Sequence, residues 1–187
     1  MLKFRIGILA LALYLALVSE VCAELGPQLK IGKQTLQLNG AGTRTKTFVQ
    51  IYESGLYLLR PTNHSQEILD ADELMAIRIR ITSGFVSRAS LVASLQEGLV
   101  QSTGGRAKEF GEEVEQLTAI LKDEVKKNDV YDFVHVPSKG LYIVKNGTIQ
   151  GVIPGLAFKK ALFGIWLSDS PVDKELRQAM LSGKITR

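Results

Sequence analysis

Hydrophobic and polar positions change rhythm several times along this chain of 187 residues. Lys3 and Arg5 precede an apolar run from Ile6 to Val18, and Val21-Cys22-Ala23 leads into polar Glu24. A basic end, a short apolar core and small residues before a polar start predict a secretory signal peptide cleaved after Ala23. The run is shorter than the roughly 20 residues that cross a bilayer. Two other readings stay open: an uncleaved anchor, and a lipoprotein signal with Cys22 lipidated, to which Ser19-Glu20-Val21 is a poor lead. Residues 1–23 are thus read as a leader and 24–187 as one exported domain.

Beyond the leader, residues 24–32 read as an arm or first strand. Lys33 to Leu38 alternates as a short strand, and Asn39-Gly40-Ala41-Gly42 reads as a turn, because Asn and Gly accept positive φ cheaply. Thr43 to Leu59 is rich in Thr, Val, Ile, Phe and Tyr and predicts one long strand, with Gly55 marking a bulge or close backbone approach. Ser65 to Ala71 predicts a short helix. In Leu74 to Thr82, Ile77, Ile79 and Ile81 share one face of a strand, and Arg78 and Arg80 share the other.

Helical spacing follows. Leu91, Val92, Leu95 and Leu99 stripe Ser87–Ser102, and Phe110, Val114, Leu117 and Leu121 stripe Lys108–Lys122. Asp129–Val136, Gly140–Lys145 and Thr148–Ile153 read as strands, the last two joined by an Asn146-Gly147 hairpin turn. Leu156–Trp166 is an apolar helix. Ser170-Pro171 reads as an N-cap with proline after it, opening a last helix to about Leu181, which Gly183 stops. Hairpin-joined strands with helices in blocks predict an α+β domain, an antiparallel sheet covered on one face by helices.

Composition narrows the chemistry. Loss of Lys3, Arg5 and Glu20 with the leader lowers the formal net charge by one from +4. That mild, unclustered charge argues against nucleic acid. The only cysteine, Cys22, leaves with the leader, so the mature domain has neither disulfide nor thiol nucleophile. A cysteine-free exported domain of this size fits a bacterial periplasm. His64 and His135 lack partners at metal-ligand spacing, and no metal or cofactor is expected. Gly40-Ala41-Gly42 lacks the third glycine and the following helix of a dinucleotide fingerprint. No Gly-x-Ser-x-Gly elbow is present. Trp166 reads first as core packing.

Arg44 and Tyr52 carry the one candidate site. In an unbroken strand their even separation puts them on one face, with Phe48 between them as an apolar wall. A guanidinium grips a carboxylate through two parallel bonds, and a phenol adds a donor. Lys46 and Gln50 share that face, and an arginine at a strand start is often simply solvated. Arg78 and Arg80 read as a solvated sheet face, or alternatively as a cationic rim.

Gly40-Ala41-Gly42-Thr43-Arg44, Phe48 to Tyr52 and Gly55-Leu56-Tyr57-Leu58 resemble the first block of chalcone isomerase-like proteins. Ser83-Gly84 before a helix resembles the second, and Asn146-Gly147 through Ile153-Pro154-Gly155 to Ala161–Leu167 resembles the closing hairpin and helices. The resemblance spans residues 30 to 183 and implies an open-faced β-sandwich, a large antiparallel sheet with helices on one face.

It also implies an anchoring role for Arg44. Tyr52 stands where the enzymes of the family have a threonine. Ser87, Ser90 and Ser94 stand where their tyrosine, lysine and asparagine sit. Serine supplies no cation and reaches less far than a phenol, so the set that stabilises a developing oxyanion is incomplete. The arginine with tyrosine instead resembles non-catalytic members, some of which bind fatty acids. The expectation is a binder of a small amphipathic carboxylate such as a fatty acid, with Arg44, Tyr52 and Phe48 at the ligand. The alternatives are an isomerase or intramolecular lyase for another substrate, and a protein-interaction module of the cell envelope.

Overall fold

The computed structural model describes residues 25–182. The leader, its cleavage after Ala23, Cys22 and the Gly183 stop lie outside the described residues. Seven strands build one antiparallel sheet: β1 (Gln28–Ile31), β2 (Gln34–Lys46), β3 (Val49–Leu58), β4 (Met75–Ile81), β5 (Val130–Val136), β6 (Gly140–Lys145) and β7 (Thr148–Ile153). They lie across the curled sheet in chain order, each pairing with its sequence neighbours. The helices are α1 (Ser65–Asp70), α2 (Arg88–Ser102), α3 (Gly111–Ile120), α4 (Leu156–Leu167) and α5 (Lys174–Leu181). This is the expected α+β open-faced architecture.

Period-two sorting explains which face is covered. Ile77, Ile79 and Ile81 of β4 point into the main core, with Leu56 and Leu58 of β3 and Phe133 of β5. Leu95 and Leu99 of α2 and the nearly all-apolar α4 close over them. The opposite face carries a smaller cluster of Leu29, Leu36, Tyr57, Ala76 and Val134. The arm before β1 reaches this face, where the Tyr57 hydroxyl donates to the Gly26 carbonyl at 3.0 Å.

Arg78 and Arg80 also lie on that second face, but neither is free. Arg78 grips Asp132 of β5 with contacts of 2.6 and 3.0 Å, and Arg80 grips Glu53 of β3 at 2.7 and 3.2 Å. Each pair spans neighbouring strands, the arrangement in which opposite charges support a sheet. The cationic-rim reading of these two residues therefore falls.

Two sequence expectations change. Asn39-Gly40-Ala41-Gly42 is not a turn, because β2 runs straight through it. The turn is made by Thr47 and Phe48, both at positive φ (47° and 68°), which splits the expected Thr43–Leu59 strand into the β2–β3 hairpin. The glycines serve packing instead. A Cβ on Gly40 would fall inside contact distance of the Ala179 carbonyl and 2.8 Å from that of Met180, and one on Gly42 would lie 2.8 Å from Ala179 Cβ. Helix α5 thus rests directly on the backbone of β2. Asn39 fastens the contact by donating to the Met180 carbonyl at 2.8 Å. The second change is at the start of α5. Asp173, not Ser170, is the N-cap, its Oδ1 accepting from the Leu176 N–H at 2.9 Å.

Gly40→Ala is expected to lower stability by roughly 1–3 kcal/mol, the usual cost of overpacking a filled site. Urea unfolding measures it, and an unchanged midpoint would show that α5 does not sit on this backbone.

Candidate functional site

Arg44 and Tyr52 meet, though not along one strand. They are direct partners across the β2–β3 hairpin, so their side chains share the helix-covered face. A register shift follows at Arg44/Thr45, where β3 carries the extra residue Ile51 before pairing resumes at Thr45–Gln50 and Lys46–Val49. Even spacing in the sequence placed the two side chains together along one strand, whereas the structure brings them together across a hairpin. Phe48 shows the difference. It stands at the hairpin tip, 97% exposed, and does not lie between the other two.

Tyr52 is buried under the helices, where its hydroxyl accepts a 3.0 Å hydrogen bond from Trp166 Nε1 at the end of α4. Trp166 is itself 1% exposed and packs at 5.9 Å from the Phe133 ring, a core role with a polar tip attached. The half-buried Arg44 lays its guanidinium 5.7 Å from the centre of the Tyr52 ring. Burial pushes the Tyr52 phenol above its ordinary range, while the Arg44 charge and the Trp166 bond act the other way. Tyr52 therefore stays a neutral phenol at physiological pH and keeps a proton to donate. Asp173 lies near enough for its charge to act on this phenol. Its Oδ1 is taken up by the cap of α5.

What sets Arg44 apart is its lack of a partner of the usual kind. Arg60, Arg78, Arg80 and Arg177 hold carboxylates, and Arg88 and Arg106 donate to backbone carbonyls. Among the described residues Arg44 is the one arginine with neither. Guanidinium and phenol together present convergent donors and no acceptor charge, an arrangement that can receive an anion.

The helix that would complete a catalytic set is occupied otherwise. Ser87 is the N-cap of α2, and Ser87 and Ser90 form a reciprocal capping box, with contacts of 3.1 and 3.0 Å. No cation from this helix reaches Tyr52. Among the described residues no three of His, Cys, Asp and Glu converge into a possible metal site. No described helix is long and apolar enough to cross a membrane.

A meander sheet covered on one face by helices, with a lone arginine where β2 meets the helix layer, defines a small open-faced β-sandwich domain. The chain belongs to the chalcone isomerase-like family, whose sequence profile matches residues 21–182. Among solved structures it is similar to the crystal structure of a fatty-acid binding protein of Arabidopsis thaliana, at 20% identity and a TM-score of 0.65. The similarity covers 81% of this chain and 89% of that one, and it establishes the fold. No curated protein matches the sequence significantly.

One buried cation was missed in the sequence. Lys159 interrupts the apolar α4, and the structure buries it completely. Its Nζ donates to the carbonyls of Ile68, Leu69 and Ala71 at 2.7, 2.9 and 2.9 Å, satisfying the open end of α1. The signal was there, the Lys159-Lys160 pair in an otherwise apolar helix, but it names neither the lysine that is buried nor its partner. Beside Lys159, His135 Nε2 donates to the Asp72 carboxylate at 2.7 Å, and burial holds its imidazole below the ordinary value. Desolvation lowers the Lys159 ammonium from 10.5 to about 8. Above that pH the fold releases this proton while the unfolded chain still holds it, so stability rises with pH. An increase in the urea midpoint from pH 8 toward pH 10, before the tyrosines titrate, is expected in the native chain. It should vanish in Lys159→Met, and an identical slope in both chains would remove Lys159 as its source.

Proposed function

We propose that this protein is a non-catalytic binder of a small amphipathic carboxylate, such as a fatty acid, working after export in a periplasm or comparable space. The observation that carries the reading is Arg44, half-buried, facing a neutral phenol and lacking a carboxylate or carbonyl of its own among the described residues. Leaving a guanidinium without a counter-charge in a partly dry site is costly, and a ligand carboxylate offsets that cost with charge-assisted hydrogen bonds. The leader-like pattern of residues 1–23 supports export, and the related solved structure described as a fatty-acid binding protein supports the ligand class.

In this reading Arg44 takes the carboxylate and Tyr52 adds its O–H, while Trp166 fixes the phenol from behind. Phe48 has no place at the head group. The isomerase or intramolecular lyase reading is disfavoured because Ser87 and Ser90 are committed to the helix cap and supply no second cation.

The test compares a fatty acid with the alcohol of the same chain length. Arg44→Ala should weaken the acid roughly 10–100-fold, the equivalent of one charged hydrogen-bonding partner, and leave the alcohol nearly unchanged. Tyr52→Phe should show a smaller loss of the same sign. Equal losses for acid and alcohol in Arg44→Ala would sink the head-group assignment.

A further inference from the structure

The end of the sheet that holds Arg44 also carries the two most exposed large hydrophobic residues described in the chain, Phe48 at 97% and Phe85 at 89%. Phe48 occupies the β2–β3 turn with φ at 68°, next to Thr47 at 47°. Left-handed backbone is cheap for Gly and Asn and costly for aromatic or β-branched residues. The same chain uses Asn146-Gly147 at the β6–β7 hairpin, so the inexpensive solution is available to this fold. At Phe48 a strained backbone and a solvated ring coincide, with no burial to offset either. An outlier of this kind points to function.

Phe85 is held beside that hairpin. The N–H groups of Thr82 and Ser83 both donate to the Ile51 carbonyl of β3, and Ser83 Oγ accepts from the Phe85 N–H at 3.1 Å. The base of the loop is thus tied to the strand that leads to Phe48, and the ring projects into water. The α3–β5 loop is tied to the same place, since the Asn128 N–H donates to the Ile81 carbonyl at 2.8 Å. It brings exposed Lys122, Lys126 and Lys127, and Lys46 stands exposed at the end of β2. Asp123 and Glu124 lie in the same loop, Glu124 at 3.4 Å from Lys126, and Asp173 caps α5 nearby. With Arg44 and Arg88, the cations at this end still outnumber the anions.

We propose that this end of the sheet docks on an anionic lipid bilayer, with Phe48 and Phe85 seated at the boundary of headgroups and acyl chains and Lys46, Lys126 and Lys127 against the phosphates. Two single rings on separate loops do not make the contiguous patch of about 800 Å² that a stable protein partner needs on each side. A bilayer interface accepts isolated aromatic rings at headgroup depth and draws lysines to the surrounding phosphates. The inference stands on these exposed residues and not on the ligand assigned to Arg44. Should both hold, the carboxylate site opens at the end of the molecule that meets the membrane.

The experiment uses the full chain and no fatty acid, so its outcome is separate from that of the ligand test. Amide signals are recorded with vesicles of phosphatidylethanolamine and phosphatidylglycerol carrying a headgroup nitroxide, and with phosphatidylcholine vesicles carrying the same label. Broadening should centre on Thr47–Val49 and Gly84–Val86 with the anionic vesicles, should weaken with phosphatidylcholine, and should spare the β5–β6 turn at residues 137–139. The double variant Phe48→Ser/Phe85→Ser changes only exposed side chains. It should lower the bound fraction about tenfold or more, since each ring loses its apolar transfer. Broadening confined to the N-terminal residues, broadening centred elsewhere on the domain, or a double variant that binds as the native chain does would overturn the proposal.

Discussion

A helix can approach a strand backbone closely only where the strand carries no side chain. Gly40 and Gly42 provide that gap on β2, and α5 fills it. Much of the site hangs from this contact. Arg177 of α5 donates to the Leu167 carbonyl at the end of α4, which locks the two helices together beside Trp166. Trp166 in turn holds the Tyr52 hydroxyl, and Tyr52 lies under the Arg44 guanidinium. The position of the arginine therefore depends, through three contacts, on two missing Cβ atoms in its own strand.

Charge is managed differently on the two faces of the sheet. The face away from the helices uses acid and base in pairs, Arg78 with Asp132 and Arg80 with Glu53, each cation answered on the next strand. On the helix-covered face, Lys159 and Arg44 have no acid in contact among the described residues. Lys159 is satisfied by three carbonyls at the end of α1, which makes it an internal cap. Arg44 has only Tyr52, through its ring face and its hydroxyl, a weaker partner than a carboxylate. One of these two cations finishes the fold, and the other leaves hydrogen-bonding capacity unspent at the rim.

Most of the fold could be read from the sequence because its strands announce themselves locally. The alternation through Ile77, Ile79 and Ile81, and the Asn146-Gly147 turn, needed no tertiary information. The stretch around Gly40 was misread because glycine has two uses, positive φ and close packing, and only the distant α5 reveals which applies. The Thr47-Phe48 turn was invisible for the converse reason, since neither residue favours the conformation it adopts. Among candidate residues, Arg44 and Tyr52 were legible as a pair, whereas Phe48 was placed by a parity rule that a hairpin breaks. The Lys159 clamp depends on carbonyls some ninety residues earlier in the chain, and periodicity carries no trace of such a partner.

The meander order of the sheet has a consequence for the time course of folding. Each strand pairs with the one just before it, so every step in building the sheet closes only a short stretch of chain, apart from the helical excursion between β4 and β5. The contact that seats the last helix is of another kind: Asn39 and Met180 are 141 residues apart. The sheet can assemble progressively from its N-terminal edge, but the glycine gap stays open until the final element has arrived. Closure of the domain is thus a late event, and a product lacking α5 would leave the glycine backbone of β2 bare.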